Sequence, residues 1–386
     1  MIEIVEREQL SDCVTRELVK LPPAGSRTYA PIEIFRFGTP GARPKAYLQA
    51  GLHADELPGM LVLRKLRETL ADHAGRGEIL GEIVLIPVCN PIGLSQVKGG
   101  YLVGRVEQET DRNFNRGFPD LCALVKEKVE GKLGDDPVAN VDTIRHAMRK
   151  KTAKLEPDGA FGTMQQLLIH EACDADIVLD VHADNEALLH LYTGLANWPD
   201  AEDLAAELDA RAVLLSDESG GEPFDEACGY AWVKLQKAFP DVPIPQGCLS
   251  ATVELRSNNH VTHEDSDRDM RALTRFLMRR GLIKGEAGSL PRLLCEATPL
   301  RAMQQLRAPA EGLVVYRARL GDTVRKGDIL AEIVPPKGGE PAFVEAVTDG
   351  ILFARHDQRW AWENKVIGKV AGSALLEERK GNLLTD

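Results

Sequence analysis

No stretch of this chain approaches the roughly 18 uninterrupted apolar residues that a membrane helix needs, so no membrane span is predicted. The opening MIEIVEREQL is acidic and lacks both an apolar core and a small-residue cleavage site; no signal peptide and a cytoplasmic setting are expected. Paired cysteines are missing too. The seven cysteines are scattered from Cys13 to Cys295 without a Cys-x-x-Cys, which argues against a cysteine zinc site and predicts reduced thiols, most of them in the core. Positive charge is scarce: 47 Lys and Arg face 59 Asp and Glu, a net −12, which argues against nucleic-acid and anionic-membrane partners. An anionic substrate would need a local cationic pocket. GGYLVG (99–104) lacks the Lys-Ser/Thr of a phosphate-binding loop, and Ser219 in DESGGEP lacks the Gly-x-Ser-x-Gly elbow of a serine hydrolase.

What is present is globular: 44% apolar and 27% charged residues, over 386 positions. At about 100–200 residues per domain, that length predicts two domains. KAYLQAGLH reads as a buried strand, and LPGMLVLRKLRETLADHAG as a helix ending near Gly75. GEILGEIVLIPVCNP is a strand stopped by Asn90-Pro91, and the region 120–160 holds helical material that reads as an insertion. TMQQLLIHEACDA is a helix feeding the strand DIVLDVH; AEDLAAELDARAVLL is a helix running into a strand; CLSATVELRS is a strand, and SDRDMRALTRFLMRRGL a closing amphipathic helix. This alternation predicts an α/β domain over residues 1–290, three-layered, with a mixed, mostly parallel sheet. From 300 to 386 short β-branched runs between Gly-Asp turns predict a small all-β, barrel-sandwich-like module, joined by KGEAGSLPRLL and ending in a loosely packed tail, ALLEERKGNLLTD.

Chemistry gathers at strand ends. Open parallel sheets bind ligands beyond the carboxyl ends of their strands. There stand His53 and Glu56, in GLHADELPG, and His182, closing DIVLDVH. Two imidazoles and a carboxylate suit a catalytic zinc with an open coordination position. Alone, a His-x-x-Glu pair is a common surface turn, and His182 alone a core histidine. Asp180, two residues before His182, is a candidate to orient its ring. In GRVEQETDRNFNRGFPD, Arg105, Arg112, Arg116, Asn113 and Asn115 share a loop too polar for a core; Asn-Arg pairs make forked carboxylate clamps. Glu254, in the apolar run ATVELRS, is positioned for proton transfer, and Arg256 on the same strand face is its candidate cationic partner.

GLHADELPG, TDRNFNRGFP, DIVLDVHAD and TVEL, in this order, resemble the succinylglutamate desuccinylase/aspartoacylase family, metal-dependent deacylases related to zinc carboxypeptidases. The likeness covers roughly residues 25–290, plus the β module that such proteins often carry. It implies one zinc per chain held by His53, Glu56 and His182, Glu254 as general base and then acid, and Asn115-Arg116 on the substrate carboxylate. Arg105 would polarise the scissile carbonyl, with Arg112 as runner-up. The implied activity is that of an amidohydrolase on the carbon–nitrogen bond of an N-acyl amino acid or analogue. Phe114 stands where the family commonly has Leu, and Asp120 where it often has Gly, so the end of that loop is expected to differ. Two alternatives stay open: a metallocarboxypeptidase acting on short peptides, and a non-catalytic binding or carrier protein whose β module does the work. Lys337, near the carrier position of a biotinyl-type half-sandwich, has the wrong neighbours for attachment; His260 and His263 read as a solvated turn opening a helix, His170 and His190 stay undecided, and homo-oligomerisation stays open.

Overall fold

The computed structural model describes residues 3–377, 379, 381, 383 and 384. A hairpin of β1 (Glu3–Ser11) and β2 (Val14–Lys20) precedes β3 (Ile32–Gly38), β4 (Lys45–Ala50), α1 (Pro58–Gly75), β5 (Glu82–Ile86) and the single turn α2 (Pro91–Leu94). A small hairpin, β6 (Val97–Lys98) and β7 (Tyr101–Leu102), leads to α3 (Leu121–Val129), α4 (Pro137–Thr152) and α5 (Gly159–Ala172). Next come β8 (Ile177–Asp184), β9 (Glu186–Ala187), β10 (His190–Thr193), α6 (Trp198–Glu207), β11 (Ala212–Leu215), α7 (Phe224–Ala238), β12 (Leu249–Ser257), α8 (His263–Arg279) and β13 (Ala297–Pro299). The remaining strands are β14 (Gln304–Arg307), β15 (Gly312–Tyr316), β16 (Thr323–Val324), β17 (Ile329–Val334), β18 (Ala342–Glu345), β19 (Gly350–Arg355), β20 (Trp360–Ala361) and β21 (Val366–Gly372).

Among the described residues, ten strands make one mixed sheet in the order β1-β2-β3-β5-β4-β8-β12-β10-β11-β13. Its centre, β5-β4-β8-β12, is parallel. These strands read as near-continuous apolar runs because helices cover both faces. Alternate side chains divide the core: Tyr47, Val84 and Val178 pack against α3, α4, α5 and α7, while Leu48, Leu85, Leu179 and Val181 pack against α1, α6 and α8. The predicted three-layer α/β architecture is therefore present. The region read as an insertion is instead part of a layer, since Val125, Val129, Ile144 and Met148 are buried in that core. The sheet also takes β13, beyond the boundary placed at 290.

The C-terminal region folds as two antiparallel sheets, β14-β21-β19-β16 and β18-β17-β15-β20, closed on a core of Leu306, Val314, Leu330, Ile333, Leu352 and Val370. It is stitched to the large sheet. β19 pairs with β9, Phe353 packs with Tyr192 and Leu214, and Lys369 on β21 ion-pairs with Asp184 at the end of β8. Of the tail read as loosely packed, residues 378, 380, 382, 385 and 386 lie outside the described residues. Leu383 is buried, and its N–H donates to the Ser219 carbonyl at 2.7 Å.

Candidate active site

Strand register assembles the site. Gln49 on β4 and Thr252 on β12 are both aligned with Asp180 on β8, and Tyr192 on β10 with Thr252. One rung further on, Glu254 is aligned with His182 on one side and with His190 on the other. Side chains two apart share a sheet face, so the acidic and imidazole groups of two rungs collect at the carboxyl end of the parallel strands. β4 is followed by Gly51, whose φ of +73° lies in the left-handed region that favours glycine. The turn it opens carries His53 and Glu56.

The ligand atoms of His53, Glu56 and His182 lie within 4.8 Å of one another, and all three residues are buried. Glu56 is the hub. His53 Nδ1 faces its Oε1 at 2.9 Å, His182 Nδ1 its Oε2 at 2.8 Å, the Ala183 N–H donates to Oε2 at 3.0 Å, and Arg105 Nη1 donates to Oε1 at 3.0 Å. Burial alone would raise this carboxyl, but the two imidazoles outweigh it and hold Glu56 well below the carboxylate range. The His53 Nε2–H donates to Asn113 Oδ1 at 2.9 Å, which leaves Nδ1 as the lone-pair nitrogen. Burial, and Arg105 after it, hold His53 down at about 4, in the neutral form that ligates metals.

Asp180 stands behind His182. Its Oδ2 is 2.8 Å from His182 Nε2, though off the hydrogen-bond axis, and its Oδ1 accepts from Gln49, which in turn accepts from the Tyr47 hydroxyl. Burial pulls the His182 ring down, but Asp180 and Glu56 outweigh it and raise it well above the usual histidine value. The acid pair thus calls for positive charge at this ring. A metal ion in place of a proton there would meet two imidazoles and one carboxylate, a donor set that fits zinc.

Glu254 Oε2 is buried without a hydrogen-bond partner among the described residues. Burial, then Glu56 and Asp184, push it up to about 8. Arg256 is not its partner, contrary to the sequence expectation. The β12–β8 register shifts between Glu254 and Ser257, and Arg256 has a φ of +60°, which turns it into a forked pair with Asp269 at 2.6–3.3 Å. Arg105 borders the site. Arg112 does not: it is exposed and its guanidinium lies 4.0 Å over the Phe161 ring.

An inner cavity of about 80 Å³ is lined by His53, Arg105, Asn115, Arg116, His182 and Glu254, together with residues that sequence reasoning missed: Asp225, Glu226 and Lys369. An outer cavity of about 660 Å³ lies between Glu56, Arg105 and Asp184 on one side and the β module's Arg355, Trp362 and Lys369 on the other. Asn115 commits its Oδ1 to the Phe224 N–H at 2.8 Å, so its amide NH₂ is the group left to offer. Arg116 lies against Gly221, where an added Cβ would come within 2.6 Å of Arg116 Cδ and φ is +79°. Asp120, the departure noted in this loop, caps α3 by accepting from the Ala123 N–H at 3.0 Å. His260 lies 3.2 Å from Asp265 in an exposed turn before α8, and His170 meets the Thr152 hydroxyl at 2.8 Å. His190 is fully buried between Tyr192 and Phe353.

Comparison with known proteins agrees with the motifs. Residues 42–135 match the succinylglutamate desuccinylase/aspartoacylase catalytic domain. An N-alpha-acetyl-L-2,4-diaminobutyric acid deacetylase of Halomonas elongata is 24% identical over 322 residues, 82% of this chain and 78% of that protein. A Shewanella amazonensis structure described as of the succinylglutamate desuccinylase/aspartoacylase family shares the fold with a TM-score of 0.80 at 23% identity, covering 92% of this chain and 98% of that one. The product-bound ectoine utilization protein EutE (DoeB) of Ruegeria pomeroyi does so with a TM-score of 0.67 at 18% identity, covering 96% and 99%. Residues 42–135 thus match the catalytic domain of the family that the four motifs resemble, and the fold is shared with a solved structure described as of that family, the succinylglutamate desuccinylases and aspartoacylases.

Proposed function

We propose that this chain is a zinc-dependent amidohydrolase that removes the acyl group from an N-acyl amino acid or a related small carboxylate. The observation that carries the reading is the convergence of His53, Glu56 and His182 beside a Glu254 carboxyl with an unpartnered oxygen, at a cavity that Asn115 and Arg116 also line. The match to the catalytic domain and the likeness to a deacetylase support it. A zinc ion held by His53, Glu56 and His182 would supply Lewis-acid polarisation of the scissile carbonyl and a water of lowered pKa.

Glu254, whose unpartnered oxygen faces the cavity that His53 and His182 also line, is placed to take a proton from the attacking water and return it to the departing amine. Arg105 lends its guanidinium to the oxyanion that develops on the carbonyl. Asn115 and Arg116 hold the substrate carboxylate and so orient the amide.

The test is release of free amine from a panel of N-acyl amino acids by zinc-loaded protein, with and without Glu254→Gln. The variant should lose about 10²–10⁴ in kcat while keeping one zinc per chain. Substantial residual turnover would remove Glu254 from the chemistry. Well under one zinc per chain in the wild type, not restored by added metal, would remove the metal.

A further inference from the structure

The segment ALLEERKGNLLTD reads as a loose tail, yet it reaches the inner cavity. Three backbone contacts fasten it. The Leu376 N–H donates to the Arg301 carbonyl at 3.1 Å, Arg301 Nε–H to the Arg379 carbonyl at 3.1 Å, and the Leu383 N–H to the Ser219 carbonyl at 2.7 Å. Leu383 is 5% exposed and packs in the cluster of Tyr192, Leu214, Leu300 and Phe353, where the large sheet meets the β module. It anchors the segment. The next residue, Leu384, lines the inner cavity together with Leu214 and Leu300.

The anchor point matters as much as the anchor. Ser219 belongs to the loop 216–223 between β11 and α7. That loop is fastened to the carboxylate clamp, with Gly117 donating to the Gly221 carbonyl at 2.8 Å and Phe118 to that of Glu222 at 3.1 Å. The tail therefore grips the loop that backs Arg116. Of the three cavity leucines, Leu214 lies on β11 and Leu300 opens the single turn Leu300–Ala302, and both are fully buried. Leu384 is only half-buried and stands outside any helix or strand. A leucine in a tail commonly does no more than cover apolar surface. Leu375, in the same segment, is of that kind: it is 60% exposed and borders neither cavity of the site.

We propose that Leu384 is a specificity-determining residue: it walls the inner cavity and limits how far the substrate's amino-acid side chain reaches past the Asn115–Arg116 clamp. This rests on the deacylase reading and deepens it. With the α-carboxylate on Asn115 and Arg116 and the amide at the histidine corner, the side chain extends into the inner cavity, where the leucines meet its hydrocarbon. Cutting Leu384 back to alanine removes as many carbons from the wall as norleucine adds to alanine. A longer apolar side chain then finds room and keeps apolar neighbours in Leu214 and Leu300.

The experiment compares kcat/KM of the full-length zinc-loaded protein for N-acetyl-norleucine with that for N-acetyl-alanine. One methylene in an apolar pocket changes kcat/KM by about 10–200-fold, so the norleucine-to-alanine ratio should rise by about tenfold or more in Leu384→Ala. It should fall in Leu384→Phe and stay at the wild-type value in Leu375→Ala. A ratio is unmoved by any general loss of folded protein. A ratio in Leu384→Ala that stays at the wild-type value, or that moves equally in Leu375→Ala, overturns the assignment and leaves the deacylase reading standing. If neither substrate is hydrolysed, the deacylase reading fails, and access to the cavity decides whether Leu384 walls it. Ser219 is 1% exposed and lines the same cavity, so Ser219→Cys places a thiol behind the tail. Its modification by iodoacetamide, followed by peptide mass, should run several-fold faster when Leu384→Ala is added; equal rates overturn the wall.

Discussion

Glu56 and Glu226 are both withdrawn from water at one cleft, yet they sit at opposite ends of the carboxylate range. Glu56 has an imidazole on each oxygen, a guanidinium and a backbone N–H, and is held well below its usual value. Glu226 accepts the Ser219 N–H at 2.8 Å but stands next to Asp225, and is pushed up to about 8. Burial acts on both in the same direction. What separates them is the neighbour set, which at the first corner is arranged for a cation and at the second leaves the carboxyls under-compensated.

The largest effect should come from cutting into the first corner. His182→Ala removes one ring nitrogen of the donor set and leaves Asp180 and Glu56 facing each other without the ring between them. Zinc content should fall well below one per chain. The loss of activity should exceed the roughly 10–100-fold that follows removal of a group merely hydrogen-bonded to a ligand. Full zinc occupancy in this variant, measured by elemental analysis, would break the comparison, because the corner would then owe nothing to its cation.

Glu226→Gln sharpens the other side. A carboxyl raised in the folded state binds more protons there than in the unfolded chain, so its contribution to stability falls as pH rises from the unfolded value near 4.3 towards about 8. The amide carries no such penalty. The variant should melt close to the wild type at pH 5 and above it at pH 8.5, in the absence of any ligand. Equal Tm differences at the two pH values would mean that Glu226 is compensated after all.

These two corners also differ in how legible they were. The histidine corner could be read because strand periodicity alone puts Asp180, His182 and, across the register, Glu254 on one face, and because His53-x-x-Glu56 follows a strand end. The same periodicity misled at Arg256, where a register shift and a left-handed backbone rotate the side chain to Asp269. Asp225 and Glu226 gave no signal, since α7 went unread in FDEACGYAWVKLQKA and acids opening a helix are ordinary. Lys369 was hidden in a module read only for its turns, although a lysine in the apolar alternation VIGKVAG was a usable sign. The layer order was legible from buried runs. The edge hairpin was not: β1 is exposed along all nine residues and offers charges in place of an apolar face.

The smallest effect is expected where the sequence put Arg112 among the substrate-binding residues. Its guanidinium is spent on the Phe161 ring at 4.0 Å, and it borders neither cavity. A cation–π contact at an exposed site is worth about 0.5–1 kcal/mol, so Arg112→Ala should lower Tm by only about 1–2 °C, given the roughly 2–4 °C per kcal/mol of smaller domains. Its kcat/KM should stay within about twofold of the wild type, because the backbone pairing of Glu107 N–H with the Arg112 carbonyl at 2.8 Å survives the substitution. Arg105, which touches Glu56 and borders both cavities, has no such alternative employment. A tenfold or greater loss in Arg112→Ala would reverse the assignment: Arg112 would then swing off Phe161 to meet the substrate, and the cation assigned to the carbonyl would come from the loop and not from the corner built around Glu56.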